Sequence, residues 1–333
     1  MPEPELSLPS GDDSKPTSRK KRPRGLSADL PLAEYARIVM RFHFDELLRH
    51  ESGTRLGADS KELHDMRVAT RRLRAAFEVF APAFRSREIK PLLDDLRAAR
   101  QALGPVRDLD VFIENAQDYQ RETGADLQLL LNTWQTEREA ARHKMLAYLD
   151  SPAFETFKTD FEHFLGTPGR GVRRYDPQEP HPQVTWQAAP FLIYQRYSAV
   201  LACEGILATA SPEQLHDLRI RCKKFRYAVE FLREILGKPV AEVIEDLKTI
   251  QDHLGQLNDA FLAGELLSGL MAEFKTQHRS LPIGVRPELD GITAYLATLN
   301  NQHRQQTDTF PQAWAHFIRP EFRQNLALAI SEL

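Results

Sequence analysis

Glu62-Leu63-His64-Asp65-Met66-Arg67-Val68-Ala69-Thr70-Arg71-Arg72-Leu73-Arg74-Ala75-Ala76-Phe77-Glu78 decides the fold, because the chain contains it twice. The second copy is Gln214-Leu215-His216-Asp217-Leu218-Arg219-Ile220-Arg221-Cys222-Lys223-Lys224-Phe225-Arg226-Tyr227-Ala228-Val229-Glu230. His64 and His216 stand 152 positions apart (216 − 64), and Leu, His-Asp, Arg, Arg, Ala and Glu recur at the same internal places. A repeat of this length implies two half-chains of like architecture.

At about 100° per residue, both copies have helical rhythm. His64, Arg67, Arg71 and Arg74 fall in one narrow sector, and Leu63, Met66, Leu73, Phe77 and Phe80 in the next. His216, Arg219, Lys223 and Arg226 repeat the polar sector, and Leu215, Leu218, Phe225 and Val229 the apolar one. Each helix therefore has an apolar face with a ladder of cations beside it. Arg72 and Lys224 point elsewhere and are expected to face solvent. Glu78 and Glu230, one turn beyond Arg74 and Arg226, are placed to hold those guanidinium groups. A charged stripe on a single helix is ordinarily its wet side. Wet-side charge, however, has no reason to recur at fixed spacing in both halves, led each time by His-Asp. The pattern predicts an anion site built from both copies.

The rest of the chain sets bounds on that site. Its 333 residues suffice for two ordinary domains, and a hydrophobic content of 42% supports a core in each. A net charge of −3 excludes a generally basic protein, so any polyanion site must come from local clustering. Cys203 and Cys222 are too few for a disulfide framework and lack metal-ligand spacing, which makes a reducing, cytoplasmic setting the default. No run reaches the length of a membrane span, and the N-terminus lacks the apolar core of a secretory signal.

Residues 1–27 read as a disordered basic tail, whose Arg19-Lys20-Lys21-Arg22-Pro23-Arg24 cluster would be an auxiliary polyanion contact. Residues 28–165 form the first bundle, with helices over about 32–50, 60–84, 86–103, 108–122, 126–149 and 152–165. Gly104 reads as a helix stop and Asp108 as the N-cap of the next helix. Gly255 and Asp259 repeat them at an offset of 151 (255 − 104). Residues 166–186 read as a linker. Residues 187–333 form the second bundle, closing with helices over about 285–301 and 308–330. No stretch sustains strand alternation. The expectation is an all-α protein of two bundles, about six helices each, related by a pseudo-twofold axis. The two basic helices would lie beside that axis, their ladders facing across a basic central groove or pore.

Leu63–Arg74, Leu215–Tyr227, Leu103-Gly104 with Asp108, and Leu254-Gly255 with Asp259 resemble the CHAD domain family, named for a histidine-containing α-helical domain. The resemblance covers about residues 30–330. It implies two four-helix bundles with internal symmetry around a basic pore. It also implies binding of inorganic polyphosphate and association with polyphosphate granules. Carried over residue by residue, it makes His64, Arg67, Arg71, Arg74, His216, Arg219, Lys223 and Arg226 the polyphosphate ligands. Arg41, Arg97, Arg100, Arg107, Arg138, Arg142, Arg196 and Lys248 form a second tier, with looser alignment. Gln251 and Asn258 stand where the first half has Arg100 and Arg107, so the second half is expected to grip less strongly there. The triphosphate-tunnel domain that some relatives carry ahead of this one is not in the sequence, which removes the obvious catalytic module.

The residue types suit a linear phosphate polymer. Arginine meets phosphate oxygens with a planar fork, lysine with a point charge. Successive turns advance by about 5.4 Å, so one ladder addresses several units. Asp65 and Asp217, if turned inward, would orient the histidines. No catalysis, cofactor or metal is expected. The His-Asp pairs superficially resemble those of metal-dependent phosphohydrolases, but the surrounding arginines would repel a cation and no carboxylate cluster accompanies them. A phosphohydrolase acting on polyphosphate remains the main alternative. A general polyanion or nucleic-acid scaffold is the second, disfavoured because no aromatic platform interleaves with the ladder. A helical scaffold for protein partners is the third. Phosphate or sulfate ions are expected to fit the same site, and no membrane partner is expected.

Overall fold

A computed structural model describes residues 22–175, 181–280, 282 and 288–333. Most of the basic tail, the middle of the expected linker and the first residues of the 285–301 helix therefore lie outside the described residues. The protein is all-α. Ten α-helices are described: α1 (Leu32–Leu56), α2 (Ser60–Val79), α3 (Ser86–Thr123), α4 (Gln128–Leu149) and α5 (Pro152–Gly166) in the first half. The second half repeats the succession with α6 (Thr185–Leu201), α7 (Pro212–Leu232), α8 (Val240–Ser280), α9 (Asp290–Phe317) and α10 (Pro320–Ser331).

Local chemistry fixes where the two basic helices begin. Asp59 caps α2, its carboxylate accepting from the Lys61 N–H at 2.8 Å. Ser211 caps α7 in a reciprocal box: the Ser211 N–H donates to Gln214 Oε1 at 2.8 Å, and Pro212 fills the first turn. α1 ends at Gly57 in the left-handed region (φ 71°), whose N–H returns to the Gly53 carbonyl.

The expected breaks at Gly104 and Gly255 do not exist. α3 runs for 38 residues and α8 for 41, straight through both glycines, so each half has five α-helices and not six. Gly104 is buried and absent from the positive-φ glycines, so it supplies no left-handed turn. Pro105 removes one N–H, yet the helix continues across it. Asp108 and Asp259 are accordingly mid-helix residues, free to project sideways. α9 likewise continues through the expected gap at 302–307 and turns only before Pro320.

Two apolar clusters hold the molecule together, and each draws on both halves. The larger contains the faces of α1, α2, α5, α6, α7 and α10 with the N-terminal parts of α3 and α8. α5 lays Phe154, Phe157, Phe161 and Phe164 on one face, and Phe161 stacks on Phe44 at 4.8 Å. Each such ring contributes on the order of 2–3 kcal/mol by burial. The smaller cluster gathers Phe112, Ile113 and Trp134 from α3 and α4 with Leu267, Met271 and Tyr295 from α8 and α9. Tyr119 and Tyr295 meet there across the halves at 4.8 Å. Along α3 the larger cluster stops at Val106 and the smaller starts by Phe112; along α8 the corresponding limits are Leu257 and Leu267, with Leu262 packed partly against the smaller. The polar residues of the repeat, Arg107-Asp108 and Asn258-Asp259, lie between them.

The chain between the halves is held at both ends. The Arg85 N–H donates to the Gly171 carbonyl and the Arg173 N–H to the Ala83 carbonyl, forming an isolated bridge beside Phe84 and Val172. Thr185 and Trp186 bond back to the Leu30 and Ala28 carbonyls at the start of the first half.

Candidate functional site

α2 and α7 pack against each other and join the halves. Their contact is stitched by two exchanged ion pairs. Arg72 Nη2 donates to Glu230 at 2.8 Å, and Lys224 Nζ lies 3.4 Å from Glu78. Arg72 corresponds to Lys224 and Glu78 to Glu230 at the same offset of 152 (224 − 72 and 230 − 78), so each pair is the other with the copies exchanged. Arg72 thus does not face solvent, contrary to expectation. The helical wheel turned it from its own apolar stripe, but the partner helix covers that side. The glutamates also hold the ladder ends as expected: Arg74–Glu78 is 3.3 Å and Arg226–Glu230 is 3.6 Å.

The two ladders meet at this contact. Arg71 of α2 interacts electrostatically with Arg219 and Lys223 of α7, and Lys223 also faces Arg226. Arg219 is only 3% exposed, and burial lowers its pKa against the opposing pull of Asp259, 3.9 Å away. Burial, reinforced by the three guanidinium groups, drives the Lys223 pKa well below the ordinary lysine range, with Asp259 pulling the other way. Among the described residues, no carboxylate lies within ion-pair distance of Arg71 or Lys223. Arg71 Nε and Arg226 Nε are buried here without an acceptor, and so is Gln251 Nε2 on α8. Tyr227 is flanked by the guanidinium groups of Arg72 and Arg226, each 5.8 Å from its ring centre.

In the first half, Arg67 is half-buried and donates to Asp108 at 2.5 Å and to the Gly104 carbonyl at 3.0 Å. Burial raises the Asp108 pKa and outweighs the surrounding Arg67, Arg100 and Arg107. Burial also lowers that of Arg107, opposed by Asp110 and Glu114. A Cβ added to Gly104 would meet nothing within 4 Å, so open space adjoins this group although the residue is buried.

The histidines are not oriented by the aspartates that follow them. Asp65 bonds Lys61, and Asp217 bonds Arg221 at 2.8 Å. Adjacent residues stand about 100° apart on a helix, so His and Asp cannot share a face. His216 Nδ1 instead meets Asn258 Oδ1 at 2.6 Å; that oxygen only accepts, so Nδ1 carries the proton. His64 is half-buried at the start of the α2 ladder.

The second tier divides. Arg100 and Arg107 join the polar layer through Asp108, and Arg138 borders it through Asp110 at 2.6 Å. The others serve elsewhere. Arg41 pairs with Glu162, and Arg97 is exposed. Arg142 donates to the Arg55 and Leu56 carbonyls and so closes the end of α1. Arg196 is half-buried and donates to the Leu192 and Glu78 carbonyls, and Lys248 pairs with Glu245. Register with the glycines did not separate these groups: Arg97 and Lys248 share the offset of 151 (248 − 97) and stay outside, while Arg138 borders the layer without it. Gln251 and Asn258, read as gaps in the ladder, belong to it. Asp108 and Asp259, read as caps, are its counter-charges. Among the described residues, no group of three or more His, Cys, Asp or Glu side chains is arranged to hold a metal ion. No described helix is long and apolar enough to cross a membrane.

Known proteins agree with this architecture. The chain is similar to the crystal structure of the CHAD domain from the plant Ricinus communis, with a TM-score of 0.68 and 22% identity over 88% of this chain and 94% of that one. It is also similar to PptA from Streptomyces chartreusis, with a TM-score of 0.64 and 14% identity over 85% of this chain and 99% of that one. A comparison with curated proteins gives no match. At these identities the structural likenesses establish the fold. The sequence model of the CHAD domain matches residues 38–268, well over half of the chain, and includes both ladders. The protein therefore belongs to the CHAD domain family.

Proposed function

We propose that the protein binds inorganic polyphosphate at the meeting of α2 and α7, between the two halves, and does not cleave it. The observation that carries this is the convergence of Arg71, Arg219, Lys223 and Arg226 with three buried N–H donors that lack acceptors. Buried like charges repel, and donors left unsatisfied each cost about 1–3 kcal/mol. A ligand rich in anionic oxygens relieves both. The halves touch at α2 and α7 and again at Tyr119 and Tyr295, with the polar layer between them, which suits a groove closed at both sides around a linear polymer. The exchanged Arg72–Glu230 and Lys224–Glu78 pairs support a pseudo-twofold relation between the halves.

Binding without hydrolysis is supported by the arginines beside His64 and His216, since they repel the metal ion a phosphohydrolase would need. Two free, buried cysteines suit a reducing cytoplasm, and association with polyphosphate granules follows from the ligand. The test is a titration of the full chain with short and long polyphosphate, sulfate and RNA at two salt concentrations. Long polyphosphate should bind tightest. Preference for RNA would replace the proposal with a nucleic-acid site. Orthophosphate release in Mg²⁺ or Mn²⁺ that is lost in His64→Ala would replace it with an enzyme.

A further inference from the structure

Gln251 breaks the repeat, standing where the first half has Arg100, and its Nε2 is one of the buried donors without an acceptor. The contact between His216 and Asn258 sets the register of α7 against α8, which run antiparallel across a short connection. Lys223 lies seven residues after His216 (223 − 216), and Gln251 lies seven before Asn258 (258 − 251). Seven residues are two turns, about 10.5 Å along either helix, so Gln251 faces Lys223 in the layer above the histidine. Gln251 and Arg226 are each only 8% exposed.

The charges facing Lys223 come from every helix packed on it. α2 supplies Arg71, α7 supplies Arg219 and Arg226, and α8 supplies Asp259, already 3.9 Å from Arg219. α6 has one charged residue, Arg196, and it is turned to the Leu192 and Glu78 carbonyls. In the first half, Asp108 sits on Arg67 at 2.5 Å and offsets its neighbours. Asp259 stands farther from its arginine, so a further guanidinium at position 251 would be poorly compensated. An amide gives a donor without adding charge.

Resting on the polyphosphate reading above, we propose that Lys223, Gln251 Nε2, Arg71 Nε and Arg226 Nε form one phosphoryl subsite at the contact between the halves. The three N–H groups donate to the oxygens of a single phosphate unit, and the lysine supplies the charge. Burial, reinforced by the surrounding guanidinium groups, disfavours the lysine proton in the empty subsite. A bound phosphate favours that proton, so binding is coupled to uptake of hydrogen ions from the medium. No bond of the phosphate chain is made or broken.

Isothermal calorimetry tests this with the full chain and long-chain polyphosphate at pH 8.5, in two buffers of different ionisation enthalpy. Terminal phosphates titrate near pH 6 and contribute little there. Net proton uptake on binding is expected. Lys223→Met should bind more weakly and take up none. Gln251→Leu, which keeps the volume, should weaken binding about tenfold or more, the loss of one donor to a charged oxygen. Gln251→Glu should weaken it further and abolish uptake, because its carboxylate would keep Lys223 protonated. Tight binding by the wild-type protein without proton exchange overturns the subsite and leaves the polyphosphate reading standing. So does wild-type affinity in Gln251→Leu. Failure of the wild-type protein to bind polyphosphate at all removes both. The wild-type proton count needs no variant to fold, and circular dichroism of each variant separates misfolding from lost contacts.

Discussion

The salt dependence of polyphosphate binding follows from which cations are already neutralised. Each engaged cation contributes about −0.7 to the log–log slope for a flexible single strand. Eight free ladder residues would therefore give a slope of about −5 to −6. The structure allows fewer. Arg67 is paired with Asp108 at 2.5 Å, Arg219 lies 3.9 Å from Asp259, and Arg74 lies 3.3 Å from Glu78. Only the arginines and the lysine of the ladders are counted as cations. Arg71, Lys223 and Arg107 remain, joined by Arg226, whose Glu230 is held more closely by Arg72.

Three to four effective charges give a slope of about −2 to −3, a loss of about 20- to 60-fold in affinity between 50 and 200 mM KCl. Fluorescence anisotropy with end-labelled long-chain polyphosphate over that range measures it. Arg71→Ala should make the slope shallower by about 0.7, and Asp108→Asn, which frees Arg67, should make it steeper by about the same amount. A slope near zero would refute electrostatic gripping. A slope of −5 or steeper would refute the internal neutralisation by Asp108, Asp259 and Glu78, because those arginines would then be exchanging counterions as if unpaired.

Three further outcomes separate structure from binding. Arg142→Ala should lower stability by about 1–2 kcal/mol in urea unfolding, since two carbonyls at the end of α1 lose their donor, while polyphosphate affinity stays at the wild-type value. Arg72→Ala should cost about 1–2 kcal/mol, because it leaves the Glu230 carboxylate, 12% exposed, without that partner; Lys224→Ala, at an exposed pair, should cost under about 0.5 kcal/mol. His43 is buried between Phe42 and Phe231, and burial, helped by Arg72, lowers its pKa from 6.5 to about 3. The folded state thus resists protonation, so stability is full above pH 6.5 and falls toward pH 3 by up to about 1.4 kcal/mol per pH unit. His43→Leu should flatten that slope when unfolding is followed at pH 6.5, 5.5 and 4.5; an unchanged slope would assign the acid loss to other groups.

The ladders were legible because a helix displays its spacing directly. His64, Arg67, Arg71 and Arg74 share a face whatever they pack against, and the second copy gave the same face again. What the spacing could not carry was the partner. Arg72 leaves its own stripe on the wheel, yet it reaches Glu230 because α7 lies alongside. Asp108 follows a Leu-Gly-Pro sequence that ordinarily ends a helix, and only the packing of Leu103 and Val106 in the larger core keeps α3 running through it. Tertiary burial outweighed the local stop signal, and that outcome moved both aspartates from helix ends to the flanks of the arginines.

That displacement bears on function as well as fold. Had the helices stopped at Gly104 and Gly255, the ladders would keep only Glu78 and Glu230 at their ends as counter-charges, and Arg67 and Arg219 would lose theirs. With the helices continuous, each carries one carboxylate into the cation layer, at 2.5 Å from its arginine in one half and 3.9 Å in the other. Two carboxylates against at least four converging cations leave the layer net positive but tolerable when empty. The excess is concentrated at Arg71 and Arg226 around Lys223, where the two chain copies meet. A single anionic polymer lying there would touch both halves at once, so its binding should also resist their separation. The wild-type protein should therefore gain unfolding free energy with added polyphosphate, by about 2.7 kcal/mol at a free concentration 100 times the dissociation constant. Arg71→Ala should reduce that gain at fixed polymer concentration, whereas Arg142→Ala should leave it intact. Equal gains in all three proteins would place the polymer somewhere other than this contact.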